Sequence, residues 1–165
     1  MKALPIKRAP TIFLKAVIFF IAAAVLVLCA FLFPQLAQLK LREMPEFTYV
    51  FYPALFGFYA TAIPFFIALY QAFKLLHYID KNNAFSELSI HALRNIKYCA
   101  VAMSFFYAMC MPLVFVFCEL DDAPGGILMW AAVVCAPLIV ATFAAVLQKL
   151  VQSAVDMKAE NDLTI

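Results

Sequence analysis

Ionisable side chains are scarce in this sequence. Lys, Arg, Asp and Glu make up 13% of its 165 residues, about half the share found in soluble globular proteins. Hydrophobic residues reach 67% and the mean hydropathy is +0.97. A water-soluble fold of this composition would have too few polar groups to cover its surface, which excludes an ordinary soluble enzyme. The apolar excess must face lipid.

Other absences narrow the chemistry. Only three glycines occur, and GxGxxG, P-loop, HExxH and GxSxG elements are all missing. The five cysteines, Cys29, Cys99, Cys110, Cys118 and Cys135, form no CxxC pair and sit in or beside apolar runs. Both histidines, His77 and His91, lie between such runs, so a four-ligand zinc site has no first shell. Buried thiols behaving as small hydrophobes account for the cysteines. The sequence therefore predicts no catalytic residue, no cofactor and no metal. A net charge of +2 likewise offers no basic face for direct nucleic-acid binding.

What is present are four windows free of Asp, Glu, Lys and Arg: Ala16–Leu39 (24 residues), Phe47–Phe73 (27), Tyr98–Cys118 (21) and Ala123–Gln148 (26). Since about 20 helical residues cross the roughly 30 Å hydrocarbon core, each is long enough to span. Continuous apolarity selects helices over alternating barrel strands. The expected architecture is an all-α polytopic membrane protein, one domain over 1–165, with a bundle of four transmembrane helices at about 12–38, 47–76, 96–118 and 125–150. A loop, 77–95, and a tail, 151–165, lie outside the bilayer. The first window continues through Phe31, Leu32, Phe33 and Pro34 rather than ending at a small-x-small cleavage site, and Leu28 precedes Cys29 where a lipoprotein signal needs a small residue. It is therefore expected to be a span and not a removed signal.

Orientation follows from the cations. Lys2, Lys7, Arg8, Lys15, Lys74, Lys81, Arg94, Lys97, Lys149 and Lys158 collect on one side, against Lys40 and Arg42 on the other. This bias predicts a membrane protein with both termini and the middle loop in the cytoplasm. Lys15 is near enough to the membrane edge to snorkel. Phe47, Tyr49, Tyr52, Tyr78, Tyr98 and Trp130 suit an interfacial belt, although aromatics are common throughout the chain. Without an ionisable group at mid-membrane depth, classical proton or ion transport is disfavoured.

Small residues recur at four-residue spacing in Gly57-x-x-x-Thr61, Ala100-x-x-x-Ser104-x-x-x-Ala108 and Ala141-x-x-x-Ala145. Such spacing lets helices approach closely, either within one bundle or along the seam of a homo-oligomer. Pro34, Pro53, Pro64, Pro112 and Pro137 each remove a backbone donor in or near a span, and the kinks they favour offer a pocket between helices.

The middle loop carries its own grammar. Asp80 to Asn83 are turn formers, Ser86 is a credible N-cap and Glu87 opposes the helix dipole, with Arg94 and Lys97 further on. Phe85 stands where it would staple onto the first turn, and Leu88, Ala92, Ile96 and Ala100 are expected to line one face. Beyond the fourth window, Leu150, Val151, Ala154, Val155 and Met157 form an apolar strip. That extension has three readings: it rests on lipid, packs on the loop or receives another protein.

Ile63-Pro64-Phe65, Ala68-Leu69-Tyr70, Ile79-Asp80-Lys81, Ala84-Phe85-Ser86, Ala92-Leu93-Arg94-Asn95-Ile96 and the terminal Glu160-Asn161-Asp162-Leu163-Thr164-Ile165 together carry a family resemblance. From the second span onward the chain resembles the DUF2975 type of bacterial four-span membrane proteins. Members are often encoded beside a small Cro-like helix-turn-helix regulator. The resemblance thus implies a membrane protein that binds or restrains such a cytoplasmic partner, with Asp80, Phe85, Ser86, Glu87, Arg94, Glu160, Asn161 and Asp162 as candidate contacts. Two other classes stay open: a membrane protein of binding, export or immunity function that takes a small apolar ligand or peptide between its kinked spans, and an oligomeric structural protein.

Overall fold

A computed structural model describes residues 5–164, with side chains from Ala9 onward. Lys2 and Ile165, and the side chains of Lys7 and Arg8, lie outside the described residues. Six α-helices follow one another: α1 (Pro5–Val27), α2 (Phe33–Glu43), α3 (Thr48–Asp80), α4 (Glu87–Met109), α5 (Met111–Leu120) and α6 (Gly125–Leu163). No strand occurs among the described residues. Three continuous helical stretches, Ala9–Glu43, Pro45–Asp80 and Gly125–Leu163, are long and apolar enough to cross a membrane. The pair α4 and α5 makes a fourth when taken as one span bent by 43°.

The described helices expose far more surface than a soluble chain would. The accessible area is 11,628 Å², whereas a compact soluble protein of this mass exposes about 8,200 Å². Much of it is Phe, Leu, Ile and Val on the outer faces of the spans, including Phe19, Phe20, Phe56 and Phe143. Most of the buried residues between helices are instead small, among them Ala37, Thr61, Ser89, Ala92, Ala100, Ser104, Ala141 and Ala144, with Val50, Leu76, Ile90, Leu93 and Met103 as the larger ones. Large side chains outside and small ones between is the arrangement favoured where association depends on close van der Waals approach.

The helices form an open row rather than a closed ring. α4 is central, with its most extensive packing against α6 and the next against α3, and α1 leans on α3. Antiparallel contacts mark the two ends. At one, Lys15 of α1 pairs with Asp80 at the C-terminus of α3, and Lys97 of α4 donates to Gln148 Oε1 of α6 at 3.3 Å. At the other, Lys40 of α2 reaches Asp121 Oδ1 at 3.3 Å, beyond α5. The described cations of the sequence count therefore separate by end, with Lys40 and Arg42 opposite the rest.

Proline sets the irregularities. Between α1 and α2 the backbone widens into a π segment, Leu28–Leu32, closed by the Phe33 amide donating to the Leu28 carbonyl. In that register Cys29 would pair with residue 34, which is proline and has no N–H. The bent third span breaks just before Pro112, which occupies the first turn of α5. α3 and α6 absorb Pro53, Pro64 and Pro137 without interruption.

Both long helices outrun the bilayer. α6 has 39 residues, about 58 Å at the helical rise, nearly twice the hydrocarbon thickness. α3 continues to Asp80 and α4 starts at Glu87, so the connection between them is a turn of residues 81–86 and most of the segment expected as loop is helical.

Candidate functional site: the helical end around residues 81–86 and the apolar groove beside α4

The 81–86 turn is tightly closed. The Lys81 amide donates to the His77 carbonyl at 3.2 Å and the Asn83 amide to the Tyr78 carbonyl at 2.8 Å. Asn82 takes the left-handed conformation, φ 61°, that such a helix ending requires and that Asn tolerates. Ser86 caps α4 as its residue type predicts: its Oγ accepts from the Ser89 amide and donates to the Asn83 carbonyl at 2.8 Å. Ser89 is wholly buried and donates to the same carbonyl at 3.1 Å. Phe85, by contrast, is 62% exposed and covers little of the first turn. The buried face of early α4 is Ser89, Ile90, Ala92 and Leu93, and Leu88 points outward. Of the expected stripe, Ala92 and Ala100 are buried and Ile96 half-buried, while Leu88 falls outside it, because α4 is wedged between two neighbours instead of lying on one.

The residues singled out by sequence fall into two groups. Phe85, Glu87, Arg94, Glu160, Asn161 and Asp162 are exposed at this end. Antiparallel register from the Lys97–Gln148 contact brings Glu87 level with Lys158 and places Glu160, Asn161 and Asp162 just beyond, near the turn. Leu163, 86% exposed, and Met157 add apolar surface to an end that carries both Glu160 and Asp162 and Lys158. Asp80 and Ser86 are engaged inside the chain, Asp80 by Lys15 and Ser86 as the cap. Lys15 lies 5.6 Å from the centroid of Phe73 as well. It pairs across the helices rather than extending alone to the interface.

The small residues also divide. Thr61, Ala100, Ser104 and Ala141 are buried between helices, Ala145 is half-buried beside buried Ala144, and Ala108 faces outward. At Gly57 a Cβ would meet Cys110 Sγ at 3.2 Å, so the missing side chain lets α3 approach the break between α4 and α5.

Polar clips that the sequence did not single out hold the row together. Tyr59 Oη donates to the Cys29 carbonyl at 2.9 Å. Ser104 Oγ donates to the Val134 carbonyl at 2.6 Å, next to the Val133 carbonyl that Pro137 deprives of its helical partner. Trp130 Nε1 donates to the Tyr107 carbonyl at 3.0 Å, in the last turn of α4 where carbonyls lose their intrahelical donors. Trp130 is therefore a clip between α6 and α4 as well as an aromatic near a span end.

Between α3 and α6, with α4 as its floor, runs a groove of about 480 Å³ lined by Phe65, Ala68, Leu69, Ala72, Ile96, Ala100, Met103, Tyr107, Val133, Ala136, Pro137 and Val140. Its lining carries no ionisable group below the tyrosine. Val133 and Val140 are 41% and 50% exposed, so its α6 wall opens toward lipid. Among the described residues no three of His, Cys, Asp and Glu come together as a metal-binding group.

The chain is 52% identical over 158 residues, covering 96% of this chain and 99% of the relative, to an uncharacterized membrane protein, YoaS, of Bacillus subtilis (strain 168). No solved structure matches. Residues 35–165, from α2 to the terminal Glu160-Asn161-Asp162-Leu163-Thr164-Ile165, match the family described as a protein of unknown function, DUF2975. This chain, a membrane protein built of apolar helices, belongs to the DUF2975 family.

Proposed function

We propose that the protein is a non-enzymatic membrane regulator whose 81–86 end faces the cytoplasm and docks a small helix-turn-helix regulator, restraining it at the bilayer. The observation that carries this reading is the continuation of α6 as helix to Leu163, which leaves Glu160, Asn161, Asp162 and Leu163 exposed at the end that also carries exposed Phe85 and Glu87. The Glu160 and Asp162 carboxylates, with uncovered apolar side chains at the same end, offer contacts to a small DNA-binding domain, whose DNA-facing surface is basic. Docking there would compete with DNA. The cytoplasmic assignment rests on the excess of Lys and Arg at that end.

The test is co-purification of the regulator encoded beside the gene, from native membranes, with the full chain and with variants. Truncation after Met157, or Phe85→Ala with Glu160→Lys and Asp162→Lys, is expected to lose the partner while the membrane protein accumulates normally. Unchanged recovery with both variants sinks the proposal, as does labelling of residue 85 from outside intact cells.

A further inference from the structure

The groove beside α4 has a length and a polarity that specify an occupant. On α4 its lining runs from Ile96 to Tyr107, about 16 Å at the helical rise, close to the depth of one leaflet of a roughly 30 Å core. Its deep end, at Tyr107, Phe65 and Val133, falls near the middle of the apolar windows. Its shallow end, at Ile96 and Ala72, lies within two residues of Lys97 and Lys74.

Positive charge gathers at the shallow end. Lys97 Nζ donates to neutral Gln148 and sits 4.9 Å from the Tyr98 ring centroid. Lys74 Nζ sits 4.9 Å from the Tyr70 centroid, and Lys149 adjoins Gln148. Among the described residues none of these three lysines is paired with a carboxylate, in contrast to Lys15 and Lys40. Basic clusters beside grooves between spans suit anionic lipid headgroups.

We propose that the groove holds one acyl chain of an anionic phospholipid from the leaflet on the 81–86 side, with the phosphate at the level of Lys74, Lys97 and Lys149. The lysines at the mouth favour a lipid over a second copy's helix, since none of this chain's apolar windows carries a carboxylate to meet them. The lateral opening at Val133 and Val140 admits a chain directly from the bilayer. This inference is independent of the docking proposal, since it concerns membrane depth and not the exposed tip.

The experiment is native mass spectrometry of the full chain in mild detergent, titrated with dioleoyl phosphatidylglycerol or dioleoyl phosphatidylcholine. One retained phosphatidylglycerol per chain is expected, in preference to phosphatidylcholine. Lys97→Gln and Lys74→Gln should each weaken phosphatidylglycerol retention about fivefold, the equivalent of roughly 1 kcal/mol per cation, and leave phosphatidylcholine unaffected. Ala136→Phe, or Val140→Phe should the first not fold, projects from the exposed wall and should remove the adduct of either lipid while Trp130 fluorescence reports an unchanged melting temperature. Equal retention of both lipids regardless of the lysines overturns the proposal. So does an adduct that survives both groove-filling variants, or a lipid-free dimer that those variants dissociate.

Discussion

The Tyr59 hydroxyl donates to the Cys29 carbonyl at 2.9 Å, across the seam between the second and first spans. Cys29 needs this donor because its π-register partner is Pro34, so a defect written into one helix is repaired by the side chain of another. In lipid no water would do so, and an unsatisfied carbonyl there costs several kcal/mol. Tyr59→Phe should therefore lower unfolding free energy in mixed micelles by about 0.6–1.7 kcal/mol. In a Pro34→Ala background, where residue 34 regains an amide, the same change should cost clearly less. An equal penalty in both backgrounds contradicts the account.

The Lys15–Asp80 pair joins α1 to the end of α3, and both side chains are about one-fifth exposed. Burying two charges this far is favourable only while they stay together. A double-mutant cycle with Lys15→Ala and Asp80→Ala should give a coupling of about 1 kcal/mol, between the values of surface and buried pairs. Asp80→Asn should weaken the fold yet leave capture of the regulator intact, because the carboxylate is turned inward. Loss of capture by a well-folded Asp80→Asn protein would return Asp80 to the docking surface.

Gly57 and Cys110 meet where α3 crosses the break in the third span. Gly57→Ala places a methyl 3.2 Å from the thiol, a contact that the thiol relieves only by moving. Gly57→Leu adds bulk with nowhere to go and should cost about 1–3 kcal/mol by overpacking. Cys110→Ala should recover most of the Gly57→Ala loss. If Gly57→Leu instead splits a dimer in detergent without lowering the stability of the single chain, the glycine belongs to an oligomer seam.

Ser104 is buried and donates to the Val134 carbonyl, three residues before Pro137. Ser104→Ala leaves that carbonyl without the cross-helix donor and should destabilise by about 0.6–1.7 kcal/mol. Trp130→Phe removes the matching clip to Tyr107, about one helical turn away along the same interface, so the two losses should couple rather than add strictly. Thermal unfolding followed by circular dichroism is the measurement. A neutral outcome for both would mean that close packing of Ala100, Ala141 and Ala144 alone holds α4 to α6.

Much of the site was legible because it depends on local rules. Ser86 is a cap by residue type and by its place before Glu87, and the structure has it accepting from Ser89. The four apolar windows correspond to helices because lipid leaves the backbone no other satisfied state. Phe85 and Leu88 were misplaced for the opposite reason: whether a capping staple closes, and which stripe of α4 is buried, depends on α3 and α6 flanking that helix. Ala108 belongs to the spaced small residues yet faces outward, since the third span bends just beyond it and carries that face out of the interface. Lys15 and Asp80, 65 positions apart, have no local signature of their pairing.

Composition and charge spacing were sufficient by themselves to determine a helical membrane protein, the number of apolar stretches and their division into a cation-rich and a cation-poor end, because solvation by lipid acts on each segment independently. Tertiary structure alone decided the open row with α4 at its centre, the polar clips between helices, and the groove beside α4. Those depend on which helix faces which, and between helices in lipid that choice is made by a few close contacts and hydrogen bonds among distant residues, not by the hydrophobic pattern all the spans share.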